Sequence, residues 1–252
     1  MLDSQSIVPD PPAPTWKWTD VAAILGGIVL IFALGLLAAN LYFSLSGQPF
    51  LGEEGITIEL SVALTALEAI ALIGGVYLLG LRRKGLPWSA VGVQPPRPRW
   101  NNYAFLIGLV VIPLSGLIAI LVQQLLGLPS ENPQLPFLAP GGYSTFGAIG
   151  MFIFGGVIVP FAEELFFRGV LYLWLRQRFG YWPALLVSSI LFGALHGEIS
   201  IGVAAAVLGL VLAWAYERSQ SLWPPVIIHV VNNAAKILLL YLLLATGIDL
   251  GV

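Results

Sequence analysis

Of the 252 residues, 58% are hydrophobic and 10% charged, with 11 Lys plus Arg against 13 Asp plus Glu and no cysteine. The net charge of -2 excludes the basic surface that phosphate binding needs, so no nucleic-acid partner is expected; the missing cysteines exclude disulfides, a thiol nucleophile and thiolate metal sites. A mean hydropathy of +0.90, with apolar runs of about twenty residues recurring along the chain, marks an integral membrane protein.

Residues 1–20, MLDSQSIVPDPPAPTWKWTD, lack the zones of a cleavable signal and read as a disordered, Pro-rich lead-in. Spans follow at 21–45, 56–81, 103–127, 145–175, 183–196, 200–216 and 224–246. Strand-like alternation is absent, and backbone amides in lipid must be satisfied internally. The fold class is therefore all-α: a multispanning transmembrane helical bundle of seven helices, or eight if the fourth breaks where Pro160 opposes the Gly156 carbonyl. Three transmembrane helices occupy 21–127 and a polar-residue-bearing core occupies 145–246.

Orientation follows from the cations. Lys17, Arg82, Arg83, Lys84, Arg97, Arg99, Arg176, Arg178 and Arg218 fall at span ends that alternate to one side, where all eight Trp also cluster. That side, with the N-terminus, is expected to be cytoplasmic. Short loops suit a prokaryotic inner membrane.

Ionisable groups at bilayer depth are costly and face a bundle interior by default. Glu163 lies about 20 Å above the basic end, counted from Arg176, and His196 about 21 Å, counted from Trp182. His229 and Asn233 stand roughly 9 and 15 Å up the last span. Three helices thus converge on one polar site. In EELFFR, Glu164 and Arg168 are four apart and pair, which leaves Glu163 on another face free to act. In FGALH, Phe192 packs on His196; in HVVNN, His229 and Asn233 share a face with Lys236 beyond them. Glu59 and Glu68 are solitary and read as capping, gating or Lys236-pairing groups, and snorkelling is the other reading of Lys236.

EELFFRG, FGALH and HVVNN match, in order and spacing, the EExxxR, FxxxH and HxxxN motifs of the CPBP family, which holds type II CAAX prenyl endopeptidases and bacteriocin-processing or immunity proteins. The resemblance covers about 145–240. It implies intramembrane peptide-bond hydrolysis in the 145–246 core, with a CAAX-type or leader peptide, or another membrane protein, as substrate in the lipid bilayer. By position, Glu163 would activate water, His196 would hold that water or protonate the leaving amine, and His229 with Asn233 would stabilise the oxyanion. Glu164, Arg168 and Phe192 would support them. A divalent metal such as zinc stays open; its ligands would be Glu163, His196 and His229. Two other classes stay open as well: a non-catalytic member that binds and protects a membrane protein, and a small proton-coupled transporter. On the protease reading, Glu163 and His196 line one cavity open toward the basic side.

Overall fold

Long apolar stretches with no water to satisfy their amides wind into helices, and the computed structural model, which describes residues 16–47, 51 and 55–248, contains no β-strand among them. The helices are α1 (Trp18–Ser46), α2 (Ile58–Arg82), α3 (Trp100–Leu126), a single-turn α4 (Leu135–Leu138), α5 (Thr145–Phe179), α6 (Tyr181–Ala194), α7 (Ile199–Ser219) and α8 (Trp223–Ala245). Six of them, α1, α2, α3, α5, α7 and α8, are long and apolar enough to cross a membrane, and the chain is a multi-pass membrane protein.

Three expectations need correction. The span at 183–196 is the short helix α6, which at 14 residues rises about 21 Å, less than a hydrocarbon core of about 30 Å. It ends at Ala194, and Gly197, at φ 77°, turns the chain into α7; His196 therefore sits in the turn. The fourth span does not break at Pro160. A π-helical turn at Phe154–Ile158 precedes the proline, and Val159 N–H already reaches back five residues to Phe154 O, so the wider turn absorbs the ring. Of the disordered lead-in expected at 1–20, residues 1–15 lie outside the described residues, but the rest joins the fold. Trp16 is wholly buried, its indole N–H donating to Gly169 O at 3.2 Å, and α1 starts at Trp18.

Packing centres on α5. Phe166, Phe167, Val170 and Tyr172 meet Leu185 and Phe192 of α6 and Ala213 and Tyr216 of α7, whereas α1 keeps Leu30, Leu34, Leu37 and Leu41 exposed as lipid-facing surface. Gly156 lets α5 approach α8 closely: a Cβ there would stand 3.1 Å from Ala234 Cα. The basic end is tied down by Glu217, which accepts from Tyr172 Oη at 2.7 Å and from Arg176 Nη2 at 2.9 Å. A backbone bond from Leu222 N to Gly92 O (2.7 Å) holds the start of α8 there, with Leu222 and Ser221 fully covered. So α8 begins inside the bundle.

The α6–α7 pair has the least slack. A Cβ on Gly193 would fall inside contact distance of the Gly202 carbonyl and 2.7 Å from Ala206 Cβ. Gly193→Val is expected to cost about 1–3 kcal/mol of stability through forced helix separation, read as a lower unfolding temperature in detergent.

Candidate functional site

Glu164 and Arg168 are one helical turn apart on α5, and both side chains are completely excluded from solvent. Arg168 Nη1 donates to Glu164 Oε1 at 3.0 Å, Nη2 donates to Gly209 O of α7 at 3.0 Å, and the guanidinium lies 4.8 Å from the Phe192 ring centre. Arg168 lies in a second π-helical turn, Phe167–Tyr172, a distortion common at functional sites. The pair is monodentate: Glu164 Oε2 and Arg168 Nε have no hydrogen-bond partner.

The last helix completes the cluster. Pro224 and Pro225 in the first turn preset its backbone, and His229 follows on the buried face at 2% exposure. His229 Nδ1 lies 3.0 Å from Glu164 Oε1, and its Nε2 lies 3.6 Å from Glu163 Oε2. A carboxylate held by Arg168 only accepts, so Nδ1 carries a hydrogen and donates to it, and Nε2 is the ring nitrogen turned toward Glu163. The 3.6 Å gap is too long for a hydrogen bond. Glu163 keeps 13% of its side chain exposed, against none for Glu164. It also feels the charges of Glu68, Glu164 and Arg168.

His196 is held differently. Its Nδ1 donates to Phe192 O at 2.9 Å, four residues back, and its ring stands edge-on to Phe192 with centroids 5.1 Å apart. Phe192 also packs on His229 at 5.6 Å, so one buried aromatic ring separates and orients both imidazoles. Asn233 Oδ1 accepts from Asn232 Nδ2 at 2.8 Å.

A cavity of about 370 Å³ has His196, His229 and Asn233 on its wall. Its outline overturns an expectation: Glu163 does not line it, and it runs along Ser115, Gln123, Ser130 and Asn132 toward the end of the bundle opposite the basic loops. Glu163 and His196 make no hydrogen bond or ion pair with each other. Among the described residues no three His, Asp or Glu side chains converge as a metal-holding group. Glu163, His196 and His229 are therefore not gathered as a three-ligand set: His229 approaches Glu163, and His196 stands apart from both across the Phe192 ring.

Three residues gain a place that sequence reasoning did not give them. Glu68 of α2 acts on Glu163 and does not pair with Lys236. Ser115 of α3 accepts from Lys236 Nζ at 2.7 Å and donates to Asn232 Oδ1 at 3.1 Å. Depth arithmetic shows the signal: Ser115 is about 22 Å above Trp100 and Lys236 about 20 Å above Trp223.

Comparison with known proteins adds a family. The family model described as type II CAAX prenyl endopeptidase Rce1-like matches residues 145–235. A protein of Bacillus subtilis (strain 168) named "Putative membrane peptidase YdiL" is 26% identical over 89 residues, which cover 35% of this chain and 36% of that protein. No solved structure matches.

Removing one partner of a sealed ion pair strands the other. Arg168→Met leaves Glu164 buried without its cation and is expected to cost about 3–5 kcal/mol, seen as collapse of folded yield and unfolding temperature.

Proposed function

With residues 145–235 a CPBP-family segment, we propose that the chain is an intramembrane endopeptidase in which Glu163 is the general base that activates water. The carrying observation is the arrangement of His229 between two carboxylates of unlike freedom. Glu164 is committed to Arg168 and His229 Nδ1, whereas Glu163 has no hydrogen bond of its side chain among the described residues and is partly exposed. Only Glu163 is free to take a proton.

The reaction is a hydrolysis. Glu163 removes a proton from water as its oxygen bonds to the scissile carbonyl carbon; the carbon–nitrogen bond then breaks and that proton passes to the leaving amine. Asn233 Nδ2, whose Oδ1 is taken by Asn232, supplies a donor to the oxyanion, and such a donor acts strongly in a water-poor site. Glu164 fixes the ring orientation of His229, which keeps Nε2 turned toward Glu163. No step is routed through a metal.

The substrate is a peptide segment of a membrane-associated protein. By the basic-residue rule the end bearing Arg82, Arg97, Arg176 and Arg218 is cytoplasmic, in a prokaryotic inner membrane, and the cavity then leads to the opposite leaflet.

The test compares peptide termini in membranes from cells carrying wild type or Glu163→Gln. Termini that appear only with wild type are expected, with turnover lowered by at least about 100-fold in the variant and its unfolding temperature kept. Glu164→Gln is expected to lower folded yield first. Undiminished cleavage in Glu163→Gln overturns the assignment, and a phenotype that persists in it indicates a protective binding protein.

A further inference from the structure

Lys236 is the one cavity-wall charge that the hydrolytic scheme leaves unused. Its ammonium donates to Ser115 Oγ at 2.7 Å; Ser115 donates to Asn232 Oδ1, and Asn232 Nδ2 donates to Asn233 Oδ1. Every partner in that chain is neutral. No described carboxylate forms an ion pair with Lys236: Glu163 and Glu164 face His229, and Glu68 acts on Glu163.

A cation at bilayer depth demands a counter-charge or water. Snorkelling does not account for this one. Lys236 lies nine residues before the end of α8, about 14 Å short of it, and its side chain is drawn across to Ser115, a residue of α3 with only 6% exposure. The side chain is nevertheless exposed, into an opening whose remaining polar wall, Gln123, Ser130, Asn132 and Gln134, carries no charge. What is missing is an anion from outside the chain.

Position says where that anion belongs. His229, Asn233 and Lys236 follow one another at i, i+4 and i+7 on one face of α8, with Lys236 about 10 Å from His229 along the axis. It stands between the acid–imidazole cluster and the 130–134 wall. Resting on the peptidase reading, we propose that Lys236, held by Ser115, is a carboxylate-binding subsite that anchors the peptide substrate within the cavity. The carboxylate is the free C-terminus of the peptide or an Asp or Glu side chain near the reacting bond. The lysine is a specificity-determining residue and takes no part in proton transfer.

The experiment separates binding from turnover by using the full chain with Glu163→Gln in lipid nanodiscs. A fluorescein-labelled apolar peptide is titrated as the free acid, as the C-terminal amide, and as an amide with a penultimate Asp. The free acid is expected to bind about 10- to 100-fold more tightly than the plain amide, the range of a charge-assisted hydrogen bond. Lys236→Met brings that ratio to near one, and Lys236→Arg keeps it. Ser115→Ala, which frees the ammonium, lowers it as a second variant should Lys236→Met fail to fold.

Recovery of tight binding by the Asp-bearing amide names the side chain as the source; no recovery names the C-terminus. Equal binding of acid and plain amide, with no gain from Asp, overturns the subsite, as does a preference that survives Lys236→Met. A preference that depends on Lys236 in a chain that hydrolyses nothing upholds the subsite and sinks only the peptidase reading.

Discussion

The Glu164 carboxylate is the constraint around which the rest is arranged. It is fully sealed from solvent, and an ion in that position must be answered by charge and hydrogen bonds from the protein itself. Its answer comes from two directions: Arg168 one turn along the same helix, and His229 from α8, both on Oε1. Because Arg168 also donates to Gly209 O of α7, one carboxylate sets the register of three helices. The close approach at Gly156 and Ala234 is the geometric condition for it, since α8 with a wider offset would leave the imidazole out of reach. The chemistry inherits this. A committed Nδ1–H fixes the orientation of the His229 ring, and that orientation decides that Nε2 is the nitrogen facing Glu163.

Much of this was legible in the sequence, for reasons that differ from residue to residue. Hydropathy placed the long spans to within a few residues, because about twenty apolar positions have few alternatives in lipid. The i, i+4 rule found the Glu164–Arg168 pair, which is a local property of one helix. Depth arithmetic put Glu163 about 11 Å above His229, whereas the two lie 3.6 Å apart, because it assumed that each helix starts at the membrane surface. The start of α8 is buried under the Gly92 segment by a backbone bond between residues 130 apart, and no local pattern announces such a bond. Pro160 misled in the opposite sense: the sequence shows the missing donor, but the compensating π-turn is a property of the folded ladder. His196 was placed at the end of a span, and α6 is too short to be one.

The division between the two halves of the chain follows from the same contacts. The stretch that the family model matches, 145–235, carries the acid, the arginine and both imidazoles, but only part of their surroundings. Trp16 bonds to Gly169 from outside it, Glu68 acts on Glu163 from α2, and Ser115 holds Lys236 from α3. Lys236 itself lies one residue beyond the matched stretch. The motifs therefore specify the acid–imidazole cluster, while the cavity beside it is walled by α3 and the segment joining it to α5 as well as by α7 and α8. A membrane protein with the same three motifs and a different α3 would keep the register of Glu164, Arg168 and His229 and lose the Lys236–Ser115 pairing. The Lys236–Ser115 contact is thus free to change without disturbing the buried pair that holds the helices together.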